Sequence, residues 1–271
     1  MAKHWFHKRG GWLSFTTLDL HAMYGEFIGT VLFLLIGMAG VQATVTNLSM
    51  DNSSDGTSIQ GSDAARLMGL FYISTSFGIS LFAVASIFYR FTGSIFNPNV
   101  SFALCIIGAI TPARFVLCAV AQIVGGIVAA AILDGLTPGP LSVSCQLGFG
   151  TTQAQVGTSA EDQIGGVVEE FCFASSQSGT IHRNVLYRCT RAFRFNVGGR
   201  KIAPLGFGFM LWAVELFSVE YTGGSINTAR AFGPAVISGF THYHWIYWLG
   251  WVFARGWAAS DINRLLTVAT S

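Results

Sequence analysis

Long apolar stretches recur along the chain and alternate with polar segments. A helix needs about 20 mostly apolar residues to cross the hydrocarbon core of a bilayer, because each residue adds only about 1.5 Å of length. Stretches of roughly this length predict six transmembrane helices, at residues 23–45, 65–89, 115–133, 164–181, 202–219 and 242–258. The hydrophobic pattern therefore predicts an all-α integral membrane protein.

Two polar stretches of similar sequence interrupt this pattern, at residues 92–99 and 222–230. Each stretch opens with Thr-Gly and reaches an asparagine, Asn97 or Asn227, five residues after the threonine. Asparagine is a favoured N-cap residue, since its side-chain oxygen accepts a hydrogen bond from a backbone N–H of the first turn. We expect a helix to begin directly after each asparagine.

The apolar runs after these asparagines, residues 100–107 and 231–237, are too short to cross a bilayer. We therefore expect two half-helices that begin inside the membrane, with Pro98 in the first turn of the first one. A helix start at that depth leaves N–H groups that water, a ligand or a neighbouring side chain must satisfy. The alternative interpretation is that the two asparagines only cap buried loops.

The predicted elements repeat in order along the chain. Three spans and one half-helix fall in each half, and because three is an odd number the second half must be inverted relative to the first. Inverted repeats with discontinuous helices are typical of membrane proteins whose substrate path lies at the repeat interface. Two half-helices that point their positive ends at a shared midplane would bind water oxygens and repel cations, including protons.

The composition agrees with the membrane class and excludes several others. Hydrophobic residues make up 52% of the chain and charged residues 10%, whereas soluble domains carry about 25% charged residues. The five cysteines show no metal-ligand spacing, and no Gly-rich phosphate loop or nucleophile–base pattern occurs. We expect no metal, no cofactor, no enzymatic activity and no nucleic-acid partner, since the basic residues are distributed by topology.

Charge predicts the orientation of the spans. Six basic residues lie between Arg183 and Lys201, whereas the loops at 46–64 and 134–164 contain no Lys or Arg. Because basic loops stay in the cytoplasm, both termini are predicted to be cytoplasmic and these two loops external. The external loop at 46–64 holds two N-glycosylation acceptors, Asn47 and Asn52, of which Asn52 is the stronger candidate.

These boundaries divide the chain into five predicted segments. They are a cytoplasmic tail at 1–22, a first inverted repeat at 23–133, an external connecting loop at 134–163, a second inverted repeat at 164–260 and a cytoplasmic tail at 261–271.

The order of three motifs resembles the aquaporin family, the major intrinsic proteins. The motifs are Gly25-Glu26-Phe27-Ile28-Gly29-Thr30, Phe96-Asn97-Pro98, and the stretch from Asn227 through Ala229-Arg230-Ala231-Phe232-Gly233-Pro234-Ala235. The family repeats Asn-Pro-Ala at the start of both half-helices. This chain departs from that pattern twice, with Asn99 in place of Ala and Thr228 in place of Pro.

The resemblance implies a passive water channel in a lipid bilayer, a location in the plasma membrane, and a homotetramer with one pore per subunit. It implies a structural role for Glu26 and for Glu170, or its neighbour Glu169, in holding the half-helix loops. It also implies a selectivity filter, whose four positions are Phe77, Glu215, Gly224 and Arg230. Glu215 departs from the His of water channels, and we expect its carboxylate to pair with Arg230.

Two alternatives stay open at this point. A channel for glycerol or another small neutral solute is one, although glycerol-conducting members commonly carry Asp where this chain has Ala231. A non-conducting or defective structural relative is the other, because the predicted fourth span carries Glu169 and Glu170 and turns polar from Ser175 onward. That polar half predicts marginal membrane insertion, although the basic cluster after it favours a crossing.

Overall fold

The computed structural model describes residues 16–50, 63–106, 108–147 and 199–249. Within these ranges the chain forms six principal helices and no strand. They are α1 (Thr17–Met50), α2 (Asp63–Phe88), α3 (Pro98–Ile106), α4 (Pro112–Leu136), α5 (Gly199–Thr222) and α6 (Thr228–Ser238). The predicted span at 164–181 lies outside the described residues, as does the greater part of the predicted span at 242–258.

Four of these helices, α1, α2, α4 and α5, are long and apolar enough to cross a membrane. They correspond to the predicted first, second, third and fifth spans. The other two, α3 and α6, contain 9 and 11 residues and begin directly after Asn97 and Asn227. Both are too short to cross a bilayer, so the structure contains the two predicted half-helices.

Helix α1 begins six residues before the predicted span, within the segment predicted to be a cytoplasmic tail. The side chains of Thr16 and Asp19 cap this start: Thr16 N–H and Oγ1 donate to Asp19 Oδ2 at 2.9 and 2.6 Å, and Asp19 N–H donates to Thr16 Oγ1 at 3.3 Å. This is the reciprocal arrangement of a capping box, with Asp at the third helical position. The helix start is therefore polar and was not visible as an apolar run.

The helices pack in a connected bundle, in which α1 contacts α2 and α4, α2 contacts α5, and α4 contacts α6. Glycines allow two of these crossings to be close. A Cβ placed on Gly208 would lie 2.6 Å from the carbonyl oxygen of Gly78, and a Cβ on Gly233 would meet the carbonyl of Gly126. Such backbone-to-backbone approach is typical of helix pairs in membranes.

The largest buried side chains gather around the starts of the half-helices. The Phe33 ring lies 6.2 Å from that of Phe77 and 6.5 Å from that of Phe96, centroid to centroid. Phe77, Phe96 and Ile226 are almost completely buried. Large apolar side chains such as Leu18, Leu67 and Phe209 are exposed on the outside of the bundle, as expected of helices that face lipid.

Candidate functional site

The two half-helices begin at equivalent asparagines. Asn227 is the N-cap of α6, and its side-chain oxygen accepts a hydrogen bond from Ala229 N–H at 3.0 Å. Asn97 Oδ1 accepts the corresponding bond from Asn99 N–H at 2.9 Å. Each bond satisfies one of the N–H groups that a helix start leaves without an intrahelical partner. Both asparagines are buried, so both helix starts lie inside the protein.

The same two asparagines join the half-helices to each other. Asn97 Nδ2 donates to the carbonyl oxygen of Ile226 at 3.3 Å, and Asn227 Nδ2 donates to that of Phe96 at 2.9 Å. Each asparagine thus binds the carbonyl of the residue that precedes the other, as an approximate twofold axis between inverted repeats requires. An amide carries two N–H groups, and the described contacts use one of them on each side chain.

The backbone before each asparagine has an uncommon conformation, and it is the same in both loops. Phe96 and Ile226 each have φ of 46°, and the residues two positions earlier, Ser94 and Gly224, have φ of 54° and 62°. A positive φ is unusual for a β-branched residue such as Ile226, and such a conformation costs about 1–3 kcal/mol. Surrounding contacts must therefore hold both loops in place.

The carboxylate of Glu26, from α1, holds the first loop. It accepts hydrogen bonds from Ile95 N–H at 3.1 Å, from Phe96 N–H at 2.7 Å and from Gln122 Nε2 at 2.8 Å. Gln122 Oε1 in turn accepts from Ser101 Oγ at 3.1 Å, which connects α4 to the half-helix α3. Glu26, Gln122 and Ser101 are fully buried, and each is hydrogen bonded as buried polar groups must be.

Four other predicted site residues do not lie at the half-helix starts in the described part of the chain. Glu170 and Glu169, expected to hold the second loop, lie outside the described residues, and so does the glycosylation candidate Asn52. The second candidate, Asn47, was expected in a loop but lies in the last turn of α1, which continues to Met50. The helix continues because Thr46 and the residues after it lack a helix-breaking Gly or Pro before residue 50.

The two residues that depart from the repeated motif contact each other. Thr228 Oγ1 donates to Asn99 Oδ1 at 2.5 Å, and Asn99 Nδ2 donates to the carbonyl oxygen of Ile226 at 3.2 Å. Thr228 is 0% exposed and Asn99 is 2% exposed. The sequence shows both departures, but nothing in their spacing indicates that the two residues meet.

Arg230 lies in the first turn of α6 and points its guanidinium at the connecting loop and at α2. Its Nη1 donates to the carbonyl oxygen of Val143 at 2.6 Å, and its Cζ lies 5.2 Å from the centroid of the Phe77 ring. A guanidinium at this distance from an aromatic ring is attracted by the negative ring face. The structure thus brings together Phe77 and Arg230, two of the four predicted filter positions.

The other two predicted filter positions, Glu215 and Gly224, also contact each other. Gly224 has φ of 62°, and a Cβ added there would meet Glu215 Oε2 and lie 2.9 Å from Val219 Cγ2. The carboxylate of Glu215 therefore occupies the space beside Gly224 and is itself 2% exposed. The ion pair between Glu215 and Arg230 stays a prediction.

The residues that hold Arg230 were not predicted from the sequence. Val143 belongs to residues 137–147, part of the loop predicted to be an external connection. Gln42 of α1 holds this loop: its Nε2 donates to the carbonyl of Pro140 at 3.3 Å, and its Oε1 accepts from Ser142 N–H at 2.8 Å. Every residue has a backbone carbonyl, so the sequence does not indicate that the carbonyl of Val143 binds Arg230. A Gln within an apolar span, such as Gln42, does indicate a buried polar partner.

Comparisons with known proteins agree with this geometry. The sequence profile of the family described as Major intrinsic protein matches residues 14–259. Aquaporin-1 of Laccaria bicolor is 42% identical over 233 residues, which cover 86% of this chain and 67% of that protein. Aquaporin-7 of Botryotinia fuckeliana is 40% identical over 231 residues, which cover 84% of this chain and 46% of that protein.

A solved structure has the same fold at low sequence identity. The X-ray structure of the aquaglyceroporin from Plasmodium falciparum superposes with a TM-score of 0.64 at 15% identity, over 92% of this chain and 99% of that chain. The likeness confirms the predicted fold class, an all-helical membrane fold with six spans and two half-helices in inverted repeats.

Proposed function

We propose that this chain, which belongs to the major intrinsic protein family, is a passive membrane channel whose main permeating molecule is water. The observation that carries this proposal is the reciprocal contact of Asn97 and Asn227 at the starts of two buried half-helices. Each side chain has a second N–H group that can donate to a passing water oxygen. The positive ends of both half-helices meet at the same place, which disfavours cations and protons.

A selectivity filter formed by Phe77, Glu215, Gly224 and Arg230 is part of the proposal. Arg230 is 3% exposed, and its Nε–H has no hydrogen-bond partner among the described residues. That group can donate to a permeating oxygen, while the Nη1 bond to Val143 keeps the guanidinium in place. The fixed positive charge adds to the barrier against cations, because a charge in a low-dielectric site acts strongly.

Water is favoured over larger solutes by the aromatic ring beside the arginine. Phe77 is 1% exposed and packs against the guanidinium, so it limits the room on that side of the path. The family resemblance adds that glycerol-conducting members commonly carry Asp after the motif arginine, where this chain has the buried Ala231. Both features support a narrow filter.

A channel for glycerol or a similar polyol is the second candidate. The observation in its favour is the buried carboxylate of Glu215 beside Gly224, since carboxylate oxygens accept hydrogen bonds from hydroxyl groups. The Plasmodium falciparum structure is that of an aquaglyceroporin, but at 15% identity that likeness concerns the fold alone.

The chain is an integral membrane protein, with a bundle that exposes large apolar side chains outward. We extend the proposal to a homotetramer in the plasma membrane with both termini in the cytoplasm. The family supports the tetramer, and the distribution of basic residues supports the orientation.

The function is tested with purified protein in proteoliposomes, by measuring water efflux and glycerol uptake in parallel. Water permeability well above that of empty liposomes, with little glycerol uptake, is the expected result. Asn227→Ala should lower the water permeability because it removes both a cap and a cross-contact, whereas Asn47→Ala on the exposed surface of α1 is the matched control. Equal or faster glycerol uptake favours the second candidate, and no flux above empty liposomes contradicts both.

A further inference from the structure

We propose that Asn99 and Thr228 are a positioning pair whose hydrogen bond fixes the spacing between the two half-helix starts and thereby sets the size of solute that passes. This inference rests on the proposed channel function. It concerns two residues at which the chain departs from the family's repeated motif, and it assigns them one joint role.

The bond joins elements from opposite repeats. Thr228 is the first residue of α6, and its hydroxyl donates at 2.5 Å to an amide oxygen on the first turn of α3. The other end of that amide, Asn99 Nδ2, donates at 3.2 Å to the carbonyl of Ile226 in the loop before α6. The Asn99 side chain therefore contacts the second repeat through both of its polar atoms.

The chemistry of the two side chains fixes the direction of these bonds. An amide oxygen only accepts and an amide nitrogen only donates, so the orientation that satisfies Ile226 O leaves Asn99 Oδ1 facing the threonine. The Thr228 hydroxyl has a single hydrogen, and its alternative acceptor, the carbonyl of Tyr247, lies farther away at 3.5 Å. The hydrogen is therefore committed to Asn99.

The pair acts on the path through Asn97. Asn99 N–H donates to Asn97 Oδ1, and the side-chain nitrogens of both residues donate to the same carbonyl oxygen of Ile226. A carbonyl oxygen has two lone pairs, and these two donors use both of them. Asn97 is thereby fixed at both ends of its amide, which leaves its remaining N–H in one orientation.

The hydrogen bond between Asn99 and Thr228, here called the bridge, has no counterpart on the other side of the approximate twofold axis. The position equivalent to Thr228 in the first repeat is Pro98, and the position equivalent to Asn99 in the second is Ala229. Neither of these side chains can form a hydrogen bond. Proline has a fixed φ that suits a first helical turn, so its replacement by threonine removes a local constraint that the bond to Asn99 supplies instead.

The experiment is a double-mutant cycle of Asn99→Ala and Thr228→Val, with the glycerol-to-water permeability ratio as the readout. Thr228→Val leaves Asn99 Oδ1 buried without its donor, and we expect the ratio to rise about fivefold, the scale on which directly contacting residues affect each other. Asn99→Ala should have a smaller effect, because the Thr228 hydroxyl can then donate to Tyr247 O. The double variant should rise no further than Thr228→Val alone, because the bond is already lost and the second substitution has no part of it left to remove.

Thr228→Ser retains the hydroxyl and should behave as the wild type. Thr44→Val is the matched control, because the hydroxyl that it removes donates only to Gly40 O within α1. Thr228→Ala replaces Thr228→Val in the cycle if the valine variant does not assemble.

Additive effects of the two substitutions on the permeability ratio would contradict a joint role of Asn99 and Thr228. So would a Thr228→Ser variant whose ratio changes as strongly as that of Thr228→Val. A wild-type protein without water flux would overturn the channel function and the positioning role together. In that case the thermal unfolding temperatures of the four proteins in the cycle still decide whether the bridge exists, since a real bridge gives non-additive shifts and independent residues give additive ones.

Discussion

The carboxylate of Glu26, in the first helix, accepts a hydrogen bond at 2.7 Å from the backbone N–H of Phe96, a residue with φ of 46°. A buried carboxyl group therefore holds a strained loop at the start of the first half-helix. The strain and its support lie on different elements, so the loop keeps its conformation only while the first helix is in place.

Glu26→Gln should lower the stability of the protein. Glutamine offers one acceptor oxygen where the carboxylate offers two, and its NH₂ group would face an N–H donor of Ile95 or Phe96. A buried donor that loses its acceptor costs about 1–3 kcal/mol, so the unfolding temperature in detergent should fall measurably.

Glu220→Gln is the matched control for this substitution. Glu220 pairs with Arg66 at a partly exposed position, and pairs of this kind contribute about 0–1 kcal/mol. Equal shifts in the unfolding temperature for the two variants would contradict the supporting role of Glu26.

Arg230→Ala should admit larger solutes and raise the proton leak of the channel. A fixed unit charge repels a cation about 4 Å away by about 4 kcal/mol at an intermediate dielectric constant, so loss of even part of it should change proton flux by more than about tenfold. Proton flux is measured with a pH-sensitive dye inside proteoliposomes, and glycerol uptake is measured in parallel. Arg66→Ala, at an exposed arginine, is the control and should leave proton flux and glycerol uptake unchanged. If Arg230→Ala also left both unchanged, Arg230 would have a purely structural role.

Gly224→Ala should block water permeation through a local steric conflict. The added Cβ would meet the carboxylate of Glu215, and the left-handed backbone at φ of 62° adds about 1–2 kcal/mol for any residue with a Cβ. Gly139→Ala is the control for the backbone cost alone, since Gly139 has φ of 85° and nothing within 4 Å of its added Cβ. Partial recovery of water flux in the double variant Gly224→Ala/Glu215→Ala would identify the carboxylate as the obstacle. Equal water flux in Gly224→Ala and in this double variant would exclude it.

The orientation of the basic segment can be tested by glycosylation. Gly198→Ser converts Asn196-Val197-Gly198 into an acceptor sequence, and we expect it to stay unmodified because six basic residues favour the cytoplasmic side. The native acceptor at Asn52, in a loop predicted to be external, is the internal positive control in the same microsomal translation. Modification at Asn196 would mean that the predicted span at 164–181 does not cross the membrane.

The half-helices were predictable because their signals are local. An asparagine cap, followed by a proline in the first half-helix only, and a run of apolar residues too short to span lie within about two turns of each other. The start of α1 was missed for the opposite reason, since attention to apolar runs passes over a polar first turn. The Thr16–Asp19 capping box was nevertheless present in the sequence and could have placed that start.

Contacts between distant segments were not predictable from the same signals. Arg230 was found through its position after Asn227, but its acceptor is a backbone carbonyl, and Val143 as a residue type gives no indication of that role. The contact between Asn99 and Thr228 depends on how two half-helices from opposite repeats meet, which a linear pattern does not encode.

The loop at residues 137–147 follows the last helix of the first repeat and leads toward the second repeat, but it also lines the same site as the helices. It supplies the Val143 carbonyl to Arg230 and is held by Gln42 from the first helix. For protein engineering this makes the stretch unsuitable for new termini, inserted tags or a fusion point, although linkers between repeats are usually the first choice for such changes. A channel assembled from two separately expressed halves would need this stretch to remain on the first half, with its end free to reach the second.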